Sequence, residues 1–154
     1  MTQFNANAKI SRRVRKGVLM QRHATGTFEV KLNPQKPDNR EEESANLVRM
    51  TIDKQFQGAL EATSKGEMLS FTTDVKGSAG YVAIERVAGA LDGRAGSFVL
   101  QHSATMTRGV PQMTISVVPD SGTGQLVGLV GEMTIQIKDG KHFYDFEYSL
   151  TESR

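Results

Sequence analysis

Apolar and polar residues alternate with a period of two along most of the chain from Ala24 to Thr151. Over 24–31, Phe28 and Val30 are the apolar positions. Over 46–57, Val48, Met50, Ile52 and Phe56 share one face, and Arg49, Thr51, Asp53 and Gln55 share the other. Residues 67–75 carry Leu69, Phe71 and Val75 at the same spacing, and further runs cover 79–89, 97–107, 112–118, 131–138 and 141–150. β-Branched and aromatic residues fill these runs, and Gly, Asp and Pro separate them, which is the signature of strands and turns. No long window shows a helical period. Eight short strands with short connections predict a sandwich or a barrel, and an antiparallel all-β barrel is the preferred reading. One connection is long. Residues 33–45 contain Pro34, Pro37 and the acidic run Glu41, Glu42, Glu43; such a segment is a solvated loop or a lid over a barrel mouth.

A weak repeat punctuates the strands. Gly89-Ala-Leu91-Asp-Gly93-Arg-Ala-Gly96 and Gly124-Gln-Leu126-Val-Gly128-Leu-Val-Gly131 share the form G-x-L-x-G-x-x-G, and Gly58-Ala-Leu60-Glu-Ala62, ending at Gly66, is a looser copy. The copies are about two strands and two turns apart, the period of a repeated hairpin connection. Glycine permits the tight turn, and the leucine is expected to pin it to the barrel rim.

Turn chemistry then fixes which residues face each other. A two-residue loop at Asp139-Gly140 pairs Ile137 with His142, Ile135 with Tyr144, Met133 with Phe146 and Gly131 with Tyr148. This face is apolar on both strands, so Tyr144, Phe146 and Tyr148 are predicted to point inward, with Gly131 leaving room for the Tyr148 ring. The opposite face sets Thr134 against Asp145 and Glu132 against Glu147, a like-charge pair that calls for solvent and nearby Lys or Arg. A two-residue loop at Asp92-Gly93 would pair Val87 with Phe98, Glu85 with Leu100, Ala83 with His102 and Tyr81 with Ala104. Tyr81, Glu85 and His102 would then share the lumen. A three-residue loop would flip the first strand and put Arg86 inside instead. Either way a charge enters an apolar interior, which costs several kcal/mol unless it is paired or changes protonation. Glu85 with His102 is therefore the best candidate for chemistry, against the alternative of a carboxylate that merely satisfies a polar core.

Charge and composition narrow the picture. Lys9, Arg12, Arg13, Arg15 and Lys16 all precede Met20, leaving 14 Lys/Arg against 17 Asp/Glu from residue 20 onward. The globular part is mildly acidic, so nucleic-acid binding would rest on the tail alone. Residues 1–22 read as a basic flexible arm, with Met20 an alternative start, and residues 23–154 as one barrel domain. There is no Cys, which excludes disulfides, thiolate metal sites and a thiol nucleophile and suits a cytoplasmic location. No apolar run is long enough for a membrane helix, and no apolar stretch follows the basic N-terminus as a secretory signal requires. His23, His102 and His142 lack metal-type spacing, so no metal is expected. No G-x-S-x-G elbow is present. Asp120-Ser121-Gly122-Thr123-Gly124 lacks the lysine and helix of a phosphate loop and reads as a turn. No cofactor has support.

Six segments together resemble a bacterial family known as domain of unknown function 3224: 24–30 (ATGTFEV), 79–86 (AGYVAIER), 91–98 (LDGRAGSF), 101–103 (QHS), 118–124 (VPDSGTG) and 140–144 (GKHFY). The resemblance implies a fold similar to the closed eight-stranded barrel of allene oxide cyclases. The stretch Gly122-Thr-Gly-x-Leu-x-Gly-x-x-Gly131 also resembles an element of allene oxide cyclases and dirigent proteins. Those relatives steer a reactive intermediate within a shaped cavity and use no cofactor. Their catalytic residues find no matching motif here. By the same analogy a homo-oligomer is expected.

Three functional readings follow. The first is a cofactor-independent isomerase or cyclase acting on a small apolar ligand, with Tyr81, Tyr144 and Tyr148 shaping the cavity and Glu85 or His102 moving a proton or stabilising charge. The second is a ligand carrier without turnover, and the third a solidly packed interaction protein.

Overall fold

The computed structural model describes residues 20–36 and 46–151. Eight strands close into a single antiparallel barrel in sequence order: β1 (Met20–Pro34), β2 (Leu47–Gly58), β3 (Leu60–Thr72), β4 (Ala79–Leu91), β5 (Arg94–Thr107), β6 (Val110–Val117), β7 (Val130–Lys138) and β8 (Lys141–Leu150). β8 closes the ring on β1, pairing Met20 with Leu150 and Phe28 with His142. Met20, Gln21 and Arg22, assigned to the arm by pattern, are thus strand residues. The basic residues before Met20 and the acidic run of the β1–β2 connection lie outside the described residues.

The turns set the register, at Asp139-Gly140 as the sequence predicted and at Asp92-Gly93 in the two-residue form of the two that the sequence allowed. Asp92 and Gly93 both adopt positive φ (47° and 79°), as do Asp139 and Gly140 (51° and 74°). Both therefore form two-residue hairpin loops, which require that conformation at both positions. Val87 faces Phe98, Ala83 faces His102 and Tyr81 faces Ala104; Met133 faces Phe146, and Glu132 faces Glu147. The two-residue loop at Asp92 puts Glu85 inside and leaves Arg86 exposed. At Gly131 a Cβ would come within 2.9 Å of both Phe146 and Tyr148.

One strand differs from the pattern. β3 begins at Leu60, not 67, and 73–78 is a turn. Its first half is Glu61-Ala-Thr-Ser-Lys-Gly66, too small and polar to show alternation. Leu69 and Phe71, the residues that did show it, face outward and are exposed.

All three repeat leucines are buried at one end of the barrel: Leu60, Leu91 and Leu126. Leu60 and Leu91 face each other directly across β3 and β4. The third copy belongs to the β6–β7 connection, where a single 3₁₀ turn spans Gly124–Leu126. β6 and β7 touch through one register pair, Ser116 with Glu132. The connection fills this gap along the edge of β5. Ser121 Oγ, Thr123 Oγ1 and Gln125 Oε1 accept hydrogen bonds from the backbone N–H groups of Val99, Ser97 and Ala95 at 3.1, 3.0 and 2.8 Å. Alternate side chains thus satisfy alternate donors of a strand that would otherwise be short of a neighbour. Gly122 is required there because a Cβ would lie 1.9 Å from the Leu126 carbonyl oxygen.

The two ends of the barrel are packed differently. Inward side chains beside the loops at 59, 92–93 and 118–129 are buried: Phe56, Leu91, Phe98, Phe146, Tyr148 and their neighbours. Along the same inward rows, burial decreases toward the other end, where the turns at 73–78, 108–109 and 139–140 lie. There Leu32 is 44% exposed, Met106 42%, Met113 45% and Ile137 69%, while Val30, Met50, Met68, Tyr81 and Ile135 are half-buried. Strand alternation places all of these on the lumen side. Inward residues that meet solvent mean that this end is an open, apolar mouth.

Candidate functional site

Between the packed end and the mouth lies a cluster of polar side chains on the inner wall. Glu85 (β4) is completely buried. Its Oε1 accepts hydrogen bonds from Lys54 Nζ (β2) and from His102 Nε2 (β5), both at 2.9 Å. Its Oε2 accepts one from Ser64 Oγ (β3) at 2.8 Å. Lys54, Ser64 and His102 are themselves buried. The Lys54 ammonium also stands over the Phe28 and Phe56 rings, 4.9 and 5.7 Å from their centroids, a favourable place for a desolvated cation. Gly66 sits between β2 and β4 with Ile52 and Glu85 as its register partners. A Cβ there would be 2.2 Å from the Ile84 carbonyl oxygen and 2.7 Å from Glu85 Cβ, so only glycine lets the carboxylate-bearing strand approach this closely.

The electrostatics of Glu85 follow from these contacts. Burial pushes its pKa up, but the hydrogen bond from His102, the Lys54 charge and the Lys54 hydrogen bond together outweigh burial and hold it at about 2. Glu85 is therefore an ionised acceptor, too weak a base to serve as the proton shuttle. An ionised carboxylate has no proton to give, so the His102 Nε2 carries the hydrogen of that bond. The tautomer of a neutral ring is thereby fixed, with Nδ1 as its acceptor. Nδ1 has no hydrogen-bond partner among the described residues, and no buried side-chain nitrogen or oxygen is left unpartnered. Nδ1 therefore borders accessible space.

The structure brings Tyr81 to this cluster and keeps Tyr144 and Tyr148 away from it. Tyr81 lies one register pair from the Ala83–His102 pair on the mouth side. Its hydroxyl donates to Met113 Sδ at 3.7 Å. Burial first, then the Glu85 charge, raises its pKa. Tyr144 and Tyr148 are core residues of the closed end. The Tyr144 hydroxyl accepts from Leu60 N–H at 2.9 Å and donates to the Gln57 carbonyl at 3.0 Å. The Tyr148 hydroxyl donates to Asp92 Oδ2. Lys54 and Ser64 were missed by pattern reading, although Lys54 falls on the Ile52–Phe56 face by parity alone.

Elsewhere the surface carries two further features. On the outside of β1 and β8, the neighbour of Glu147 is a histidine and not the expected lysine or arginine: His23 Nδ1 lies 3.0 Å from Asp145 Oδ1 and its Nε2 3.8 Å from Glu147 Oε2. On the outside of β2 to β5, a concavity of about 550 Å³ is walled by Arg49, Glu67, Leu69, Val82, Ile84 and Gln101. His102 borders it from behind, since its side chain points the other way, to Glu85. No group of three metal-ligating side chains occurs among the described residues, and no helix among them is long and apolar enough to cross a membrane.

The chain matches the family described as "Protein of unknown function (DUF3224)" over residues 24–148. The chain belongs to the DUF3224 family. It is similar to a solved structure, a protein of unknown function from the DUF3224 family of Shewanella oneidensis MR-1, at 51% identity and a TM-score of 0.80. The match covers 87% of this chain and all of that one. No curated protein matches. The comparisons thus show the family and a similar fold, and neither name states a function.

Proposed function

We propose that this barrel binds a small apolar molecule in its open mouth and that His102 is the group that acts on it. The supporting observation is the fully buried Glu85, which holds His102 through Nε2 on the inner wall, one register pair from Tyr81 on the side of the apolar opening. A carboxylate that fixes the tautomer of a histidine and stabilises its imidazolium is the arrangement general acid–base catalysis uses. The activity this supports is a cofactor-independent isomerisation or cyclisation in which Nδ1 takes a proton and returns it. Glu85 is then a positioning residue, Tyr81 lines the mouth, and Tyr144 and Tyr148 hold the closed end rigid behind it. Met50, Met68 and Met113 around the opening suit ligands of varied shape, because the thioether side chain adapts.

A second reading has its own support. Every oxygen of Glu85 is already satisfied within the protein, which is what a purely binding barrel, a carrier without turnover, would also need. In either case the exposed outer row Leu69, Phe71, Val82 and Ile84 suits self-association of the barrel, which sedimentation of the full chain would reveal.

The test is thermal unfolding of the full chain against a small-molecule metabolite library, followed by incubation of each hit. A ligand at 100 times its Kd adds about 2.7 kcal/mol, a rise of several degrees in Tm for a domain of this size. Stabilising hits that are also converted, with conversion lost in His102→Gln, support the isomerase reading. Hits recovered unchanged support the carrier. A library that leaves Tm unmoved overturns both.

A further inference from the structure

We infer that the mouth takes an uncharged apolar molecule bearing one hydroxyl of the phenol or enol kind, which bridges His102 Nδ1 and the Tyr81 hydroxyl. The inference deepens the ligand-binding reading above and rests on it.

The charge of the site is already balanced. Lys54 is paired with Glu85 at 2.9 Å and faced by Phe28 and Phe56. An anionic ligand would find no free cation at the floor and would lose its hydration on entering. The surrounding wall, Val30, Met50, Ile52, Ala83, Ala104 and Ile135, offers apolar surface alone. An uncharged ligand body is what this wall rewards.

Two polar groups on the paired strands β4 and β5, His102 Nδ1 and the Tyr81 hydroxyl, are available to the ligand, while His142 lies on β8 against the Phe28 ring. In the neutral ring Nδ1 is an acceptor, because Nε2 keeps the ring hydrogen for Glu85. The Tyr81 hydroxyl can donate, and the partner it has, Met113 Sδ at 3.7 Å, is a weak acceptor that a better one displaces. Its raised pKa keeps the phenolic proton in place. Tyr81 and His102 are on paired strands, one register step apart along the inner face, and diagonal neighbours of this kind lie within reach of long side chains, at about 7–8 Å between backbones. One hydroxyl oxygen satisfies both: its hydrogen goes to Nδ1, and its lone pair receives the Tyr81 hydrogen. A ketone or ether oxygen satisfies Tyr81 only, and an amine satisfies Nδ1 only. The enol form of a carbonyl compound carries such a hydroxyl, which links the ligand class to the isomerisation proposed above.

A matched pair of probes tests this on the full chain: 4-butylphenol and its methyl ether, 4-butylanisole. The two share an apolar body and an acceptor oxygen and differ in the hydroxyl hydrogen. Binding is followed by Tm and by the ¹⁵N resonances of His102. The expected result is that the phenol binds about tenfold more tightly or better, the usual cost of leaving a buried acceptor unpaired, and that the Nδ1 resonance moves. His102→Gln keeps an N–H for Glu85 while removing the ring acceptor and reduces the preference, whereas Tyr81→Phe removes the donor and weakens both probes while leaving the preference in place. Equal affinity for the two probes, or a phenol that binds without moving the Nδ1 resonance of the unmutated chain, overturns the inference while leaving the mouth a ligand site. Binding of neither probe overturns the inference together with the reading of the mouth.

Discussion

The closed and open ends of this barrel are built from the same eight strands, the same inward parity and similarly apolar residues, yet they have different fates. At the closed end, Phe98 and Phe146 stack with centroids 5.7 Å apart, Phe146 meets Tyr148 at 5.4 Å, and Phe56 meets Tyr144 edge-on at 5.6 Å. The tyrosine hydroxyls are tied to the turns at 57–60 and to Asp92. At the open end, methionines and aliphatic residues occupy equivalent inward positions and stay partly exposed. The difference lies in what caps each end. Leucines of the repeated turn motif and the folded-over β6–β7 connection plug one end, whereas beside the turns at 73–78, 108–109 and 139–140 the inward residues Leu32, Met106, Met113 and Ile137 stay exposed. Rigidity is concentrated where the rings pack, and the polar cluster sits at the boundary, buried from one side and approachable from the other.

The sharpest way to break this comparison is to truncate one inward side chain at each end. Phe146→Ala should cost about 3–5 kcal/mol, because it removes a fully buried ring from a packed core. Met113→Ala, also an inward position, should cost under about 1 kcal/mol, since its side chain already meets solvent. Equal losses in denaturant titrations would mean that the mouth is packed after all.

At the boundary, Glu85→Gln should destabilise by about 3 kcal/mol at neutral pH, because it strands the buried Lys54 charge. Glu85 has its pKa held at about 2, below its ordinary 4.5. Its ionisation therefore contributes stability that is fully present above 4.5 and is lost as pH falls toward 2. The gap between wild type and variant should narrow across that window in acid titrations. The variant should also lose the fixed His102 tautomer in ¹⁵N spectra, a signal that a merely structural role would leave unchanged.

The smallest effect concerns the hydroxyls that tie the closed end. Burial, then the Asp92 bond, pushes the Tyr148 pKa up to about 12, so the phenol keeps its proton at neutral pH. Tyr148→Phe should cost about 1 kcal/mol, with no change in ligand affinity at the mouth. A loss of ligand affinity in this variant would join the two ends functionally and undo the division between them.

Much of the fold is written locally. Alternation marked most of the strands, Asp139-Gly140 fixed one hairpin register, and Asp92-Gly93 offered two, of which the two-residue loop turns Glu85, His102 and Tyr81 to one face. The rest is non-local. Lys54 carries no local signal of burial, since a lysine's flexible stem can reach water from many positions. Only the barrel curves β2 round to within hydrogen-bonding distance of β4 across Gly66. Ser64 lay in a stretch too polar to read as a strand, and its partner is again on β4. The Ser121, Thr123 and Gln125 side chains looked like turn residues because the β5 donors they satisfy are far away in sequence. The sequence by itself determined most of the strands, the Asp139-Gly140 register and the candidate pair Glu85 and His102, because period and turn type act between near neighbours; it left open whether Glu85 or Arg86 faces inward. The tertiary structure decided the charge state of Glu85, the free nitrogen of His102 and which end is open, because burial and electrostatics depend on strands that meet only when the barrel closes.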